Sequence, residues 1–189
     1  MSNLELYLAC VNPNHKKKKV GNDLILLGTK LEPLIRKEIE LDFPQFIVHT
    51  PKNFEMYRRI DKTYLTATLD GILTHKVTKD RYILEIKTHD IRNYEDEALW
   101  DKGVPENYFI QVIHYLMVMN DCKGVLVAAR LRKFDYFNEN GKKLERVEIK
   151  YRWIYRSDPE IQQWLSYLEK EETNFYENHV KKKIPPQPK

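Results

Sequence analysis

The chain has 189 residues, 42% of them hydrophobic, and a formal net charge of +4. That size allows one domain with a proper core, the composition excludes a disordered chain, and no apolar run reaches the roughly 18 residues a bilayer crossing needs. The charge is uneven: Lys16, Lys17, Lys18 and Lys19 form one basic run and Lys181, Lys182, Lys183 and Lys189 a second, leaving the body net acidic. Such runs suit a phosphate backbone, and they serve equally well as solvated surface.

At the N-terminus a short apolar patch precedes the basic run, the reverse of a secretory signal, so no signal is read and a cytoplasmic protein is expected. Cys10 and Cys122 lack metal-ligand spacing and read as free thiols. Residues 12–22 read as a mobile loop. Leu31, Leu34, Ile35 and Ile39 then repeat at helical spacing, which predicts a helix over Gly28 to Leu41 with Glu32 at the edge of its stripe. Residues 45–50, 54–60, 63–73 and 81–88 read as strands, the last two joined by a polar turn near Val77-Thr78.

Residues 89–104 read as a polar loop carrying Trp100. Pro105 can open a helix that runs to about Asn120. Val112, Ile113, Leu116 and Met117 give that helix an apolar face, and Tyr108, Gln111 and Tyr115 give it a second stripe. Residues 123–130 form a nearly continuous apolar run, as in a buried strand. Asn138 to Gly141 signals a turn, and Val147, Ile149, Tyr151, Trp153 and Tyr155 alternate as a strand with one buried face. Ser157 and Glu160 fit an S-x-x-E capping box for a last helix, with Ile161, Trp164, Leu165, Leu168 and Phe175 facing the core. The order predicts an α/β (α+β) domain over residues 1–180, a central mixed β-sheet flanked by helices, and a disordered basic tail over 181–189.

The residues that can carry chemistry lie on the strand pair. A strand places i and i+2 on one face, so Glu85 and Lys87 point the same way, and a turn near Val77 sets Asp70 opposite Glu85. Two carboxylates so placed can share a hard divalent cation, with the Ile86 carbonyl as a further oxygen and Lys87 to orient a water or stabilise developing charge. An exposed Glu85–Lys87 ion pair and an ordinary Asp70-Gly71 turn account for the same residues. The apolar flanks Leu65, Leu69, Ile72, Ile83, Leu84 and Ile86 weigh toward paired or metal-bound charges. His49, His75, His89 and His114 show no metal spacing and read as surface or packing residues. Tyr94, Trp100 and Tyr108 sit where an aromatic could stack on a DNA end, and ordinary packing explains each of them singly.

Glu32 within GTKLEPLIRKEIE, Asp70-Gly71, Glu85-Ile86-Lys87 and Gln111-x-x-x-Tyr115, in that order, resemble the YqaJ-type viral recombinase family. That family includes the phage lambda exonuclease and belongs to the PD-(D/E)xK nuclease superfamily. The likeness runs from about Gly28 to Asn120, and more loosely to about Val180. It implies a restriction-endonuclease-like core. It assigns Asp70, Glu85 and the Ile86 carbonyl to the metal, with Glu32 reaching it directly or through water. It makes Lys87 the catalytic lysine, Gln111 the residue that positions lysine, water or phosphate, and Tyr115 a support behind them. Leu69 stands where the family has proline before the aspartate. Ser2-Asn3 and Val11–Asn14 read as no more than a remnant of the family's earlier arginine-bearing segment, which helps bind a 5′-phosphate. No arginine precedes Arg36 there, and Lys16–Lys19 offer positive charge instead.

The resemblance thus implies a Mg²⁺-dependent deoxyribonuclease, with Mn²⁺ able to substitute. It would resect double-stranded DNA ends 5′→3′ in phage-type recombination, as a ring-shaped homotrimer that hands its product to a single-strand annealing protein. A DNA endonuclease of the same fold and a non-catalytic DNA-binding or assembly module are the alternatives.

Overall fold

The computed structural model describes residues 2–12, 22–52, 55–137, 141 and 143–187. The basic run Lys16–Lys19, most of the expected loop 12–22 and the expected turn at 138–140 lie outside the described residues. The elements follow in the order α1 (Asn3–Val11), α2 (Asn22–Asp42), β1 (Phe46–His49), β2 (Tyr57–Arg58), β3 (Thr66–Ala67), β4 (Gly71–His75), β5 (Arg81–Asp90), α3 (Tyr94–Lys102), α4 (Glu106–Val118), β6 (Gly124–Phe137), β7 (Lys143–Tyr155) and α5 (Pro159–Phe175). A π-helical segment, Tyr176–Val180, continues α5.

Five strands form one mixed sheet in the order β1-β4-β5-β6-β7, and β2 and β3 pair as a separate ribbon. Every pairing in the large sheet is antiparallel except β5 with β6. A parallel pair needs a long crossover, and α3 and α4 supply it. This is the expected mixed sheet flanked by helices.

The sheet is buried on both faces, and the alternation of β5 shows how. Ile83 joins an apolar cluster with Val112, Ile113 and Leu116 of α4 and Leu165 of α5. Its neighbours Leu84 and Ile86 join the opposite cluster with Ile35 and Ile39 of α2. Helix α4 thus covers the face that carries the odd-numbered residues of β5, and α2 covers the other.

Several elements depart from the sequence expectation. The patch before the basic run is a helix, α1, closed by a capping box in which Ser2 Oγ accepts from Glu5 N–H at 3.2 Å and Glu5 Oε2 accepts from Ser2 N–H at 2.8 Å. Helix α2 starts at Asn22 rather than Gly28, and Leu34 lies off its buried stripe at 61% exposed. The expected strand 54–60 is only Tyr57–Arg58 among the described residues.

The expected strand 63–73 is two strands: β3 leaves the large sheet to pair with β2, while β4 stays in it. The expected loop 89–104 holds the end of β5 and all of α3, whose N-terminus Asn93 caps by accepting from Asp96 N–H. Strand β6 runs past Arg130 to Phe137 because β7 pairs with it along that length. Among the described residues of β7 Ile154 is buried, whereas Val147 and Tyr155 of the expected buried face are exposed at the sheet edge. The expected Ser157 capping box is absent. Asp158 is the N-cap of α5, its N–H bonded back to the Tyr155 carbonyl, so Pro159 takes the first helical position.

Gly71 opens β4 where the strands crowd. A Cβ there would lie 3.0 Å from Leu84 Cδ2, 3.2 Å from Leu84 Cβ and 3.4 Å from the His49 carbonyl oxygen. Gly71→Val is therefore expected to destabilise the fold by about 1–3 kcal/mol through overpacking, measured as a lower urea midpoint with an unchanged m-value.

Candidate active site

The β4–β5 ladder pairs Gly71 with Leu84, so its register sets Asp70 opposite Glu85 just beyond the last pair. There the Asp70 side chain continues the pairing: its Oδ2 accepts a hydrogen bond from the Ile86 N–H at 2.8 Å. One main-chain donor thus fixes a carboxylate at the mouth of the ladder. Ile86 itself packs toward α2, so its neighbours Glu85 and Lys87 turn toward α4.

On that face Lys87 is held from three sides. Its Nζ lies 2.5 Å from Glu85 Oε1, donates to Gln111 Oε1 at 2.9 Å, and sits 4.9 Å from the centre of the Tyr108 ring. Gln111 in turn donates through Nε2 to the Tyr115 hydroxyl at 2.6 Å. These three α4 residues recur every third or fourth position and line one side of the helix.

Helix α2 closes the site from the other side of the sheet. Gly28 crosses β5 closely, its notional Cβ 3.3 Å from Thr88 Oγ1, and one turn later Glu32 reaches the site. Arg36 ties it there: Nη2 donates to Glu32 Oε2 at 3.0 Å, and Nε donates to the Asp70 carbonyl at 2.9 Å.

The electrostatics are those of crowded carboxylates. Glu85 is 2% exposed, and its Oε2 is buried with no donor from another residue beside it; the carboxyl faces that of Asp70 instead. Burial, and then the charge of Asp70, push the Glu85 carboxyl up to about 8, against the pull of Lys87. Burial likewise raises Asp70, against the Ile86 N–H, Lys87 and Arg36. Glu32 is raised by burial and by Asp70. Burial and the charge of Glu85 push the Tyr115 hydroxyl up to about 12, so it remains a phenol.

Among the described residues no three His, Cys, Asp or Glu side chains stand ready to cage an ion. The donors present nonetheless fit a hard divalent cation. Asp70 and Glu85 are paired oxygen donors short of positive charge, one buried oxygen has no hydrogen-bond donor beside it, and Glu32 stands nearby.

The sequence-predicted residues Glu32, Asp70, Glu85, Ile86, Lys87, Gln111 and Tyr115 therefore meet in one place. Two residues that the sequence reading did not assign to the site, Arg36 and Tyr108, touch it directly. Helical spacing offered the signal for both, four residues after Glu32 and three before Gln111. Trp100 is buried at 1% exposed and stacks beside Tyr108, while Tyr94 is 81% exposed. His89 and His114 act as ties, to Asp96 and to Glu172 with the Thr66 carbonyl. A cavity of about 610 Å³, lined by Leu6, Tyr64, His114 and Phe175 among others, contains none of the seven predicted residues.

Comparison with known proteins gives the chain a family and a fold. The family described as the YqaJ-like viral recombinase domain matches residues 2–122, a span that includes α1 as well as the site. No curated protein matches the chain. Among solved structures it is similar to an alkaline exonuclease, LHK-Exo, from Laribacter hongkongensis, at 17% identity and a TM-score of 0.52 over 96% of this chain and 83% of that one. It is also similar to LHK-Exo in complex with dAMP, at 18% identity and a TM-score of 0.50 over 95% of this chain and 85% of that one. At these identities the likeness establishes a shared fold.

The raised Glu85 carboxyl has a thermodynamic signature. A carboxyl whose pKa is higher folded than unfolded contributes stability that is complete below the unfolded value and lost as pH rises through the folded one. In EDTA, the melting temperature is expected to fall by several degrees between pH 5 and pH 8.5, and Glu85→Gln is expected to remove most of that slope, read by scanning calorimetry.

Proposed function

The chain belongs to the YqaJ-like viral recombinase domain family, and on that footing we propose that it is a Mg²⁺-dependent deoxyribonuclease that resects double-stranded DNA ends 5′→3′. The observation that carries the reading is the meeting of Asp70, Glu85 and Lys87 beside Gln111 in a partly desolvated cluster with a buried carboxylate oxygen that has no donor beside it. A salt bridge of purely structural use has no reason to bury two carboxylates against each other.

In this reading Asp70, Glu85 and the Ile86 carbonyl hold Mg²⁺, or Mn²⁺ in its place, with Glu32 alongside. When bound, the ion neutralises charge at the scissile phosphate and lowers the pKa of a water. The chain's own residues do the rest. Lys87 places an ammonium group at the reacting phosphate, where negative charge grows as water adds to phosphorus and the bond to the leaving sugar oxygen breaks. Gln111 fixes the position of Lys87, and Tyr115, kept protonated, fixes Gln111. Each link is made before substrate arrives, so no reorganisation is needed during the reaction.

The similar LHK-Exo has been solved with dAMP, a mononucleotide, which fits stepwise shortening of an end. The 5′→3′ direction, a homotrimer and a single-strand annealing partner belong to the same proposal and rest on the family likeness. Lys16–Lys19 are proposed to meet the DNA backbone by charge. No described helix is long and apolar enough to cross a membrane.

The test uses linear duplexes labelled at the 5′ or 3′ end, with and without a 5′-phosphate, and a covalently closed circle, each with Mg²⁺. Early release of the 5′ label, with the 3′ label retained on progressively shorter strands, is expected, and the circle is left whole. Lys87→Ala and Asp70→Asn are expected to lose at least about a hundredfold in rate. An intact linear duplex, or full activity in Lys87→Ala, overturns the reading; cutting of the circle replaces the exonuclease with an endonuclease.

A further inference from the structure

We propose that Arg36 is a positioning residue that holds Glu32 and the Asp70 turn at the fixed separation needed to bind the divalent cation productively. The inference rests on the nuclease reading above and adds to it a residue that does not itself touch metal or substrate.

Arg36 makes two bonds that point in different directions. Its Nη2 takes Glu32 Oε2 at 3.0 Å within α2, and its Nε takes the main-chain oxygen of Asp70 at 2.9 Å, 34 residues along the chain. An exposed i,i+4 pair contributes little and would have no use for the second bond. The Arg36 side chain is only 13% exposed and Glu32 is 29% exposed, so both bonds are partly buried. Together they join the helix that carries one acidic residue to the turn that carries another.

The pattern of constraint at Asp70 is specific. The Asp70 carboxylate is fixed through Oδ2 by the Ile86 N–H, and its carbonyl is fixed by Arg36, so side chain and main chain are both pinned. Glu32 is pinned through Oε2 alone, and among the described residues its Oε1 makes no hydrogen bond. Arg36 thereby leaves one oxygen of Glu32 free beside Asp70, whose charge Glu32 already senses. It also offsets part of the repulsion between Glu32 and Asp70. A planar fork can meet two acceptors at once, whereas a lysine supplies the charge at one point only. The geometry, and not the charge by itself, is what the site takes from Arg36.

That distinction sets the experiment. Arg36→Lys keeps the charge and loses the fork; Mn²⁺ is the probe, followed by calorimetry in the absence of DNA and by turnover of linear duplex at saturating Mn²⁺. The expected result is a Mn²⁺ affinity weakened at least fivefold and a kcat lowered at least tenfold, with a melting temperature close to that of the parent. In a Glu32→Gln background the further loss of Mn²⁺ affinity on Arg36→Lys is expected to shrink to the part that acts through the Asp70 carbonyl, since the two side chains are coupled. Wild-type affinity and kcat in Arg36→Lys, or losses that simply add in the double variant, overturn the inference. If the arginine variants fold poorly, Glu32→Gln alone decides: it leaves Arg36 bonded to Asp70, and wild-type Mn²⁺ affinity in it overturns the inference. A parent protein that binds no Mn²⁺ and cuts no duplex overturns the nuclease reading instead, which keeps the two failures apart.

Discussion

The hydrogen bond from the Ile86 N–H to the Asp70 carboxylate is the constraint on which the site depends. It forms where β4 and β5 stop pairing through main-chain groups, so a side chain takes over as acceptor for a strand donor. The bond anchors Asp70 beside Glu85 without neutralising either, because an amide carries no net charge. Two buried carboxylates are thereby held together by neutral scaffolding, and their shortage of positive charge is met in part by Lys87 and, at Asp70, by Arg36. Folding alone would not favour such an arrangement, which is why it reads as function.

The sheet divides the labour between its faces. Because side chains alternate, Leu84 and Ile86 seat α2 while Glu85 and Lys87 face α4. Helix α4 therefore controls the lysine, through Gln111, Tyr115 and Tyr108. Helix α2 controls the acidic side, through Glu32 and Arg36, and reaches around the end of the ladder to do so. Neither helix touches every functional group, and the strand between them is the common reference. Its rigidity comes from pairing on both sides, antiparallel to β4 and parallel to β6.

Most of this site was legible in the sequence because it is built on short-range rules. The two-residue period of β5 placed Glu85 with Lys87, the turn after His75 placed Asp70 across from them, and helical spacing placed Tyr108, Gln111 and Tyr115 together. What was not legible depends on contacts distant in the chain. Arg36 reads as an ordinary helix pair until Asp70 is brought to it. Thr66–Ala67 reads as part of one strand with Gly71–His75 until Tyr57–Arg58 draws it aside. Helix α3 hides because YEDEALWDK has no apolar stripe; it buries a single residue, Trp100, against Ala129 and Leu131. The Ser157 capping box fits locally, but a turn closing on Tyr155 moves the helix start on by one residue.

The span that carries the family signature ends at Cys122, yet the strand that supports β5 on its far side begins at Gly124. Likewise, His114, the neighbour of Tyr115 on α4, is clamped by Glu172 near the end of α5. The recognisable part of the chain is thus not mechanically independent: it takes its stiffness from a later part that bears no signature. Selection on that later part would act on shape and burial rather than on particular residues. Chemistry would then be inherited as a pattern of side chains at the front of the chain and as a pattern of packing at the back. The two patterns can drift at different rates while serving one site.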